Sequence, residues 1–541
     1  MPLSPGMRKQ LGSFYTDERA VRFLVGWGIG NVSGRRVMDP SCGDGRFLLY
    51  AATRGAKSVV GCDLDPQALD SSSICLRSTT VASEFHRCDF FELLPELVDP
   101  VDLIVGNPPY VRFQSFTGRS RTLALESAME SGVRLPGLAS TWAPFLLHAL
   151  RFLKLGGAMA VVVPAEILHS GYGILTLRAL CGRFANVHLT AFSRNIFPDA
   201  EEETLLLRAS GFGGHSTSLT LLPLDGIEDL CDNLDETSAS IIRLPERGKS
   251  DFAQAFLTSE EWDNWQNVSS MEQVITLSAC GSLTNGFVTG ANSFFLRTGS
   301  FPVEGIPREW LLPAATKASS IRGIEFTWND ICELERTGSP QHLLNMPEED
   351  LLLEKREALL HLVEQGESLG LHRRFKCRVR DPWWRVPGIR IPDIFIPYMI
   401  GKKPVSSVNR ARAAYTNTLH GMKVGSRMNP ESISVSMLSS LSLLSMELVG
   451  RSYGGGLLKL EPSEASAVSL ADFTVNDSLF RRTDEAVRAG CFDKAVGIVD
   501  DEVLGRNLSL PESSIDLLRS ARFKLLGRRF DRNGRSPRDA T

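Results

Sequence analysis

The sequence predicts an α/β protein built on a doubly wound, mostly parallel, seven-stranded sheet, followed by a C-terminal domain of mixed α/β character. Two patterns carry this expectation. From Arg36 to about Gly211, seven short strand-like runs alternate with helical stretches: RRVMDP, SVVGCDLD, FHRCDFF, VDLIVGNPP, GAMAVVVPAE, VHLTAF and ETLLLRAS. Such runs are largely apolar, as strands are when helices cover both faces of a parallel sheet. After Phe212 the alternation fades into GFGGHSTSLT and then a charged, irregular segment from Asp225 to about Gln273.

At 541 residues the chain exceeds what one hydrophobic core organises. We expect residues 1–225 to form the first domain, 226–274 to connect, and 275–541 to form the second domain with its basic tail. With 43% hydrophobic and 23% charged residues the composition is that of an ordinary globular protein. A formal charge of −4 excludes a uniformly basic coat, so any contact with a polyanion must be regional. The ten cysteines are scattered without a C-x-x-C pair, which predicts neither a metal site nor a disulfide framework and fits a reducing cytoplasm. MPLSPGMRKQLG has no apolar signal segment, and no run of about 18 apolar residues is present to span a bilayer. A cytoplasmic protein with no membrane partner is expected; the sequence leaves the oligomeric state open, with a monomer favoured.

Taken in order, four strand ends carry polar groups. The first run leads from Asp39 through Gly43 and Gly45 into a helix at about Phe47 (DPSCGDGRFLLYA). Glycines let backbone approach a ligand closely, and a helix start offers free N–H groups. An ordinary strand-to-helix turn explains a lone G-x-G equally well. The second run ends in Asp63-Leu64-Asp65-Pro66, a carboxylate about 20 residues beyond the glycines, where such folds hold ribose hydroxyls. The third ends in Asp89-Phe90. Each acid alone is also a fair helix cap. Acids at three successive strand ends beside a glycine loop point to a nucleoside pocket.

The fourth run, VDLIVGNPPYVRF, ends in Asn107-Pro108-Pro109-Tyr110. Proline cannot continue a central strand, so both prolines must lie in a stiff loop beyond the sheet edge. Further on, TWAPFLLHALRFL (Thr141 to Leu153) predicts a helix closed by Gly156-Gly157 before the fifth strand. ILTLRALCGRF predicts another helix, and the last two strands suggest an antiparallel ending.

GSFYTDERAVRFL, DPSCGDGRFLLYA, GCDLDP, CDFF and GNPPYVRF, in this order, resemble the motifs of the amino-group DNA methyltransferases. Motif order and the long C-terminal region resemble the γ-type adenine-N6 enzymes, whose target-recognition domain follows the catalytic one. The resemblance implies a Rossmann-like methyltransferase fold and S-adenosylmethionine as donor. It places the methionine part near Tyr15, Thr16, Asp39 and the Gly43–Gly45 loop, ribose hydroxyls at Asp63, and adenine against Leu64 and Phe90 with Asp89 at its edge. Asn107 and the Pro108 carbonyl, held by Pro109, would grip the target amine, with Tyr110 stacked on the flipped base. A second ring would come from Phe197, with Phe192 as runner-up. Where the family often has Thr-Pro, this chain has Thr16-Asp17, leaving the helix-opening role to Asp17.

GFVTGANSFF, DPWWRVPG and ELVGRSYGGGLLKLEP resemble the family's recognition domains less specifically. From Arg373 to Arg427 the cations Arg373, Arg374, Lys376, Arg378, Arg380, Arg385, Arg390, Lys402, Lys403, Arg410, Arg412, Lys423 and Arg427 meet only Asp381 and Asp393. A surface for DNA phosphates is the functional reading, and a solvated charged face the alternative. Trp383, Trp384 and Tyr398 either join that surface or pack the domain. A helix is expected at Ser432 to Val449, and the basic tail Arg519 to Arg538 reads equally as a disordered end. The whole predicts a site-specific methyltransferase acting on double-stranded DNA in a restriction–modification or related defence system, with a separate endonuclease as a plausible partner. Two alternatives stay open: the same loop chemistry on RNA or on a protein glutamine, and a non-catalytic DNA-specificity component.

Overall fold

The computed structural model describes residues 16–30, 34–111, 113–194, 204–231, 234, 239–244, 252–299, 306–348, 353–453 and 456–531. The chain divides into two compact units, one of Met1–Phe256 with Gly527–Thr541, the other of Leu257–Leu526.

The first unit is the doubly wound α/β layer. Its strands are β1 (Arg36–Asp39), β2 (Ser58–Asp63), β3 (Ala82–Arg87), β4 (Val101–Gly106), β5 (Leu153–Pro164), β6 (Phe184–Phe192), β7 (Thr204–Phe212), β8 (Ser218–Leu224) and β9 (Ser240–Arg243). They lie in the order β3-β2-β1-β4-β5-β7-β6-β8-β9. The first five in chain order run parallel, while β7 is antiparallel to both β5 and β6, the expected ending.

Both faces are covered, and period-2 alternation divides the strands between two cores. Ala158, Ala160 and Val162 of β5 join Leu103 and Val105 under the helices Glu18–Ile29, Arg46–Thr53 and Pro66–Leu76. Met159, Val161 and Val163 join Ile104 under Gly118–Glu130, Trp142–Ala149 and Gly171–Cys181. Asp17 caps the first of these helices, its carboxylate accepting from the Arg19 N–H at 2.8 Å.

Three expectations need correction. The sheet has nine strands among the described residues, not seven, because β8 and β9 extend it beyond β6. In β8 Ser218 and Thr220 alternate with the buried Leu219 and Leu221 before the buried Leu222, so the start of the strand imitates a polar loop. The segment expected as a connector thus carries the edge strand β9 on one side of the division and the helix Ser259–Ser269 on the other. Gly156-Gly157 does not close a helix: the helix ends in the 3-10 turn Leu150–Phe152, and the glycines sit inside β5, where the pairing slips between Val101 and Leu103 and Gly156 adopts φ +77°.

In the second unit a five-stranded sheet orders Gly281–Asn285, Leu419–Val424, Ile394–Pro397, Ser407–Asn409 and Glu325–Phe326. The helix expected at 432–449 is two helices, Pro430–Ser436 and Ser440–Val449, bent by 76°. Ser439 causes the break, since its hydroxyl accepts from the Ser442 N–H at 3.3 Å and caps the second helix. The tail is helical over Glu512–Asp531, where Ser520 and Lys524 both bond to the Glu261 carboxylate at 2.7 Å; residues beyond Asp531 lie outside the described ones. Among the described residues no single helix is long and apolar enough to cross a membrane.

Candidate active site

Because β3, β2, β1 and β4 are neighbours and parallel, their carboxyl ends bring Asp89, Asp63, Asp39 and Asn107 to one edge. The glycine loop after β1 is tied to β2: the Gly43 N–H donates to Asp63 Oδ2 and the Asp65 N–H to Asp63 Oδ1, each at 2.9 Å. Ser72 Oγ donates to the Gly43 carbonyl at 2.8 Å, and Gly45 (φ +79°) passes so close to Ser72 that a Cβ would lie 2.8 Å from its Cα.

Asp39 is 1% exposed and accepts from the Ser41 N–H at 3.0 Å. Burial, reinforced by the charges of Asp63 and Asp44, pushes its carboxyl up to about 8. Burial also raises Asp63, against the pull of the Asp65 and Gly43 N–H groups. The polypeptide alone thus holds these acids in surroundings that disfavour their charge, and a cationic ligand group would relieve Asp39.

The loop after β4 is fixed on several sides. Gly106 (φ +141°) lies where a Cβ would be 2.6 Å from Asp39 Oδ1, so glycine is needed both for backbone angle and for space. Ser41 Oγ donates to the Asn107 carbonyl at 3.3 Å, linking the glycine-loop strand end to the loop. Thr141 holds the other side: its Oγ1 donates to the Pro109 carbonyl at 2.5 Å and accepts from the Val111 N–H at 2.8 Å, while its own N–H donates to the Val111 carbonyl at 3.1 Å. Among the described residues no donor is bonded to the Pro108 carbonyl. The Tyr110 hydroxyl donates to Asn107 Oδ1 at 2.6 Å, so in this state a phenol O–H rests on the amide oxygen expected to receive the target amine.

Other expected residues fall as follows. Thr16 is buried, and its carbonyl accepts from the guanidinium of Arg46, which also pairs with Asp44 at 2.7 Å. Leu64 is 63% exposed at its strand end. Asp89 caps the turn Phe90–Glu92, accepting from the Phe91 N–H at 3.1 Å. Phe90 is a core ring, 4.7 Å from Phe145, 4.6 Å from His148 and 5.3 Å from Phe152, so of the two apolar groups expected at the cofactor adenine the structure exposes Leu64. Phe192 is buried in the core. Tyr15 and Phe197 lie outside the described residues. Arg46 and Thr141 escaped sequence reasoning. Arg46 directly follows Gly45 and was visible as a cation at a helix start, whereas nothing local marks Thr141, which sits 30 residues from its partner Val111.

Residues 3–180 match the N-6 DNA Methylase family, and residues 249–504 match the Type II methyltransferase M.Eco57I C-terminal domain. The chain thus joins an N-6 DNA Methylase region to a Type II methyltransferase C-terminal region. It is 22% identical over 493 residues to the Type II methyltransferase M.AccI of Acinetobacter calcoaceticus, covering 87% of each chain. To M.XamI of Xanthomonas campestris pv. amaranthicola it is 23% identical over 471 residues, covering 84% of each. Among solved structures, the type IIG restriction endonuclease BpuSI aligns with a TM-score of 0.41 at 15% identity, over 95% of this chain and 66% of that one. The methyltransferase's first family match lies within the first compact unit, and the second, from residue 257 on, within the other.

In the second unit the structure sorts the basic tract. Arg385 pairs with Glu348 at 3.0 Å, Arg410 with Glu431 at 2.5 Å and Lys423 with Asp393 at 2.7 Å, so acids distant in sequence neutralise them. Trp383 is 8% exposed and packs 6.2 Å from Phe294 and 5.9 Å from Trp384, which makes it a core residue.

Proposed function

We propose that this methyltransferase moves a methyl group from S-adenosylmethionine to the N6 amine of an adenine rotated out of duplex DNA, as the modification activity of a restriction–modification system. The observation that carries this reading is the loop itself: Asn107 and Pro108 follow β4 on backbone fixed by Gly106, Ser41 and Thr141, and the Asn107 amide oxygen and the Pro108 carbonyl are its two acceptors. An exocyclic amine is a weak nucleophile because its lone pair is delocalised into the ring. Two fixed acceptors that take both amine hydrogens turn that lone pair outward and stabilise the positive charge developing on nitrogen. Tyr110 offers its ring to the extruded base; stacking of this kind is worth about 1–3 kcal/mol. For Tyr110 to lay its ring on the base, its hydroxyl would give up its present bond to Asn107 Oδ1.

The donor set fits the cofactor. Asp63, already aligned by two N–H groups, suits ribose hydroxyls, and the buried Asp39 suits an ammonium group. The exposed Leu64 and the strand-end Asp89 are the groups we assign to the cofactor's adenine. When bound, the cofactor supplies a methyl group on a sulfonium, already a good leaving group. The protein's part is then alignment, and no general base is required to begin. Tyr15 and Thr16 at the helix entrance, and Phe197 as a second ring over the base, complete the proposed site from the family motifs.

Incubating the protein with tritiated S-adenosylmethionine and unmethylated genomic DNA, RNA or protein extract tests the reading. We expect label in DNA as N6-methyladenine at one sequence. Label confined to RNA or protein would overturn it.

A further inference from the structure

The segment Leu371–Arg380, LHRRFKCRVR, forms two short turns in the second unit, Leu371–Arg373 and Phe375–Arg378. Two side chains pin it. Leu371 and Cys377 are buried in the unit's core, and the Cys377 thiol donates to the Thr289 carbonyl at 3.8 Å. Arg373, Arg374, Phe375, Lys376, Arg378 and Val379 are all exposed, and the two apolar ones are 64% (Phe375) and 66% (Val379) exposed. Lys376 Nζ and Arg378 Cζ lie 5.7 and 5.6 Å from the centre of the Phe375 ring.

Among the described residues no carboxylate forms an ion pair with Arg373, Arg374, Lys376 or Arg378. That separates them from Arg385, Arg410 and Lys423, which the fold neutralises. A cleft of about 530 Å³ opens beside the ridge, with Asn285 and Val288 on one wall and Lys376, Val379, Arg380 and Arg390 on the other. Arg380 is steadied there by donating to the Val288 carbonyl at 2.6 Å.

Four cations packed into six residues repel one another, and the arrangement is favourable only against a closely spaced polyanion. Duplex DNA carries one charge per roughly 1.7 Å of axis, a density that matches such a ridge. An exposed phenylalanine and valine amid those cations supply the apolar contact that sugars and base edges need. Resting on the reading of the chain as a DNA methyltransferase, we propose that Leu371–Arg380 is its docking ridge for duplex DNA. Arg373, Arg374, Lys376 and Arg378 contact phosphates, and Phe375 and Val379 lie against the groove. Arg385, Arg410 and Lys423 are not phosphate ligands.

The test uses the full chain and a 30-base-pair duplex of mixed sequence, with binding followed by fluorescence anisotropy between 50 and 200 mM salt. Each phosphate contact contributes about 0.9 to the slope of log affinity against log salt. The triple variant R374A/K376A/R378A should lose roughly 2 to 3 from that slope, and F375A should lower methylation of genomic DNA several-fold with the slope unchanged. Replacing Arg385 and Lys423 by alanine should leave the slope within about one contact of the parent. Being exposed, the ridge variants should keep the parent's thermal midpoint. An unchanged slope in the triple variant, or an equal loss in both sets, overturns the ridge. If the parent labels DNA while the triple variant binds and methylates normally, this inference alone falls. If the parent labels only RNA or protein, the underlying reading falls with it.

Discussion

The loop Asn107–Val111 and the ridge Leu371–Arg380 both present working groups from irregular backbone, yet they are held in opposite ways. In the loop, Ser41 and Thr141 bind the carbonyls of Asn107 and Pro109 and both backbone groups of Val111, and Gly106 is wedged against Asp39. In the ridge, two buried side chains are the anchors and the cations are left in solvent. The difference follows from what each must do. A nucleophile has to be placed to within a fraction of an ångström, which requires pre-set geometry. A phosphate backbone can be met by long, flexible side chains whose charge acts over a Debye length of about 8–10 Å.

The comparison breaks at defined points. Asn107→Ala removes one of two acceptors at the reacting amine, so kcat should fall about 10²–10³-fold, the range seen when one preorganised transition-state partner is lost. Cofactor binding by calorimetry should survive, and loss of both would mean the loop is merely structural. Gly106→Ala imposes a disallowed φ and a clash with Asp39 together. We expect about 1–3 kcal/mol of destabilisation in urea and weaker cofactor binding, since the disturbance reaches both sides of the site. A stable, fully active variant would show that the close approach is irrelevant.

Thr141→Val keeps the volume but strips the hydroxyl from the Pro109 carbonyl and the Val111 N–H. An unsatisfied buried N–H costs about 1–3 kcal/mol, and the loosened loop should lower kcat roughly tenfold with KM for the cofactor unchanged. Thr141→Ser should restore the rate. A matching rise in KM for the cofactor, or failure of the serine, would remove Thr141 from loop positioning.

The last effect concerns pH. Asp39 is held up to about 8 in the polypeptide alone, so below that pH it is mostly protonated. A cationic ligand favours the carboxylate, so binding below pH 8 should release a proton, and affinity should climb by up to about tenfold per unit until the pH passes that value. Calorimetry in buffers of different ionisation enthalpy would count the proton. Asp39→Asn should flatten the profile, and a flat profile in the parent protein would separate Asp39 from the ligand's charge.

Much of the catalytic half was legible because its signals are local. Asp39 and Asp63 close their strands, Asp89 and Asn107 follow theirs, and parallel packing of the strands brings them together without further information. What could not be read depended on tertiary partners. Phe90 looks like a ligand floor in sequence and is a core ring because Phe145, His148 and Phe152 surround it. β8 hides because its first residues alternate polar and apolar side chains as a polar loop does. In the basic tract the neutralising acids Glu348 and Glu431 lie outside the stretch whose charges were compared, so only the folded unit distinguishes Arg385 and Arg410 from Arg374 and Arg378.

The central claim is most directly tested by the distance from the adenine N6 to Asn107 Oδ1 and to the Pro108 carbonyl oxygen in a complex with duplex DNA and a non-transferring cofactor analogue. We predict both within about 2.7–3.2 Å, with the Tyr110 hydroxyl displaced from Asn107. An amine bound elsewhere, or a Tyr110–Asn107 bond intact beside a flipped base, would contradict it.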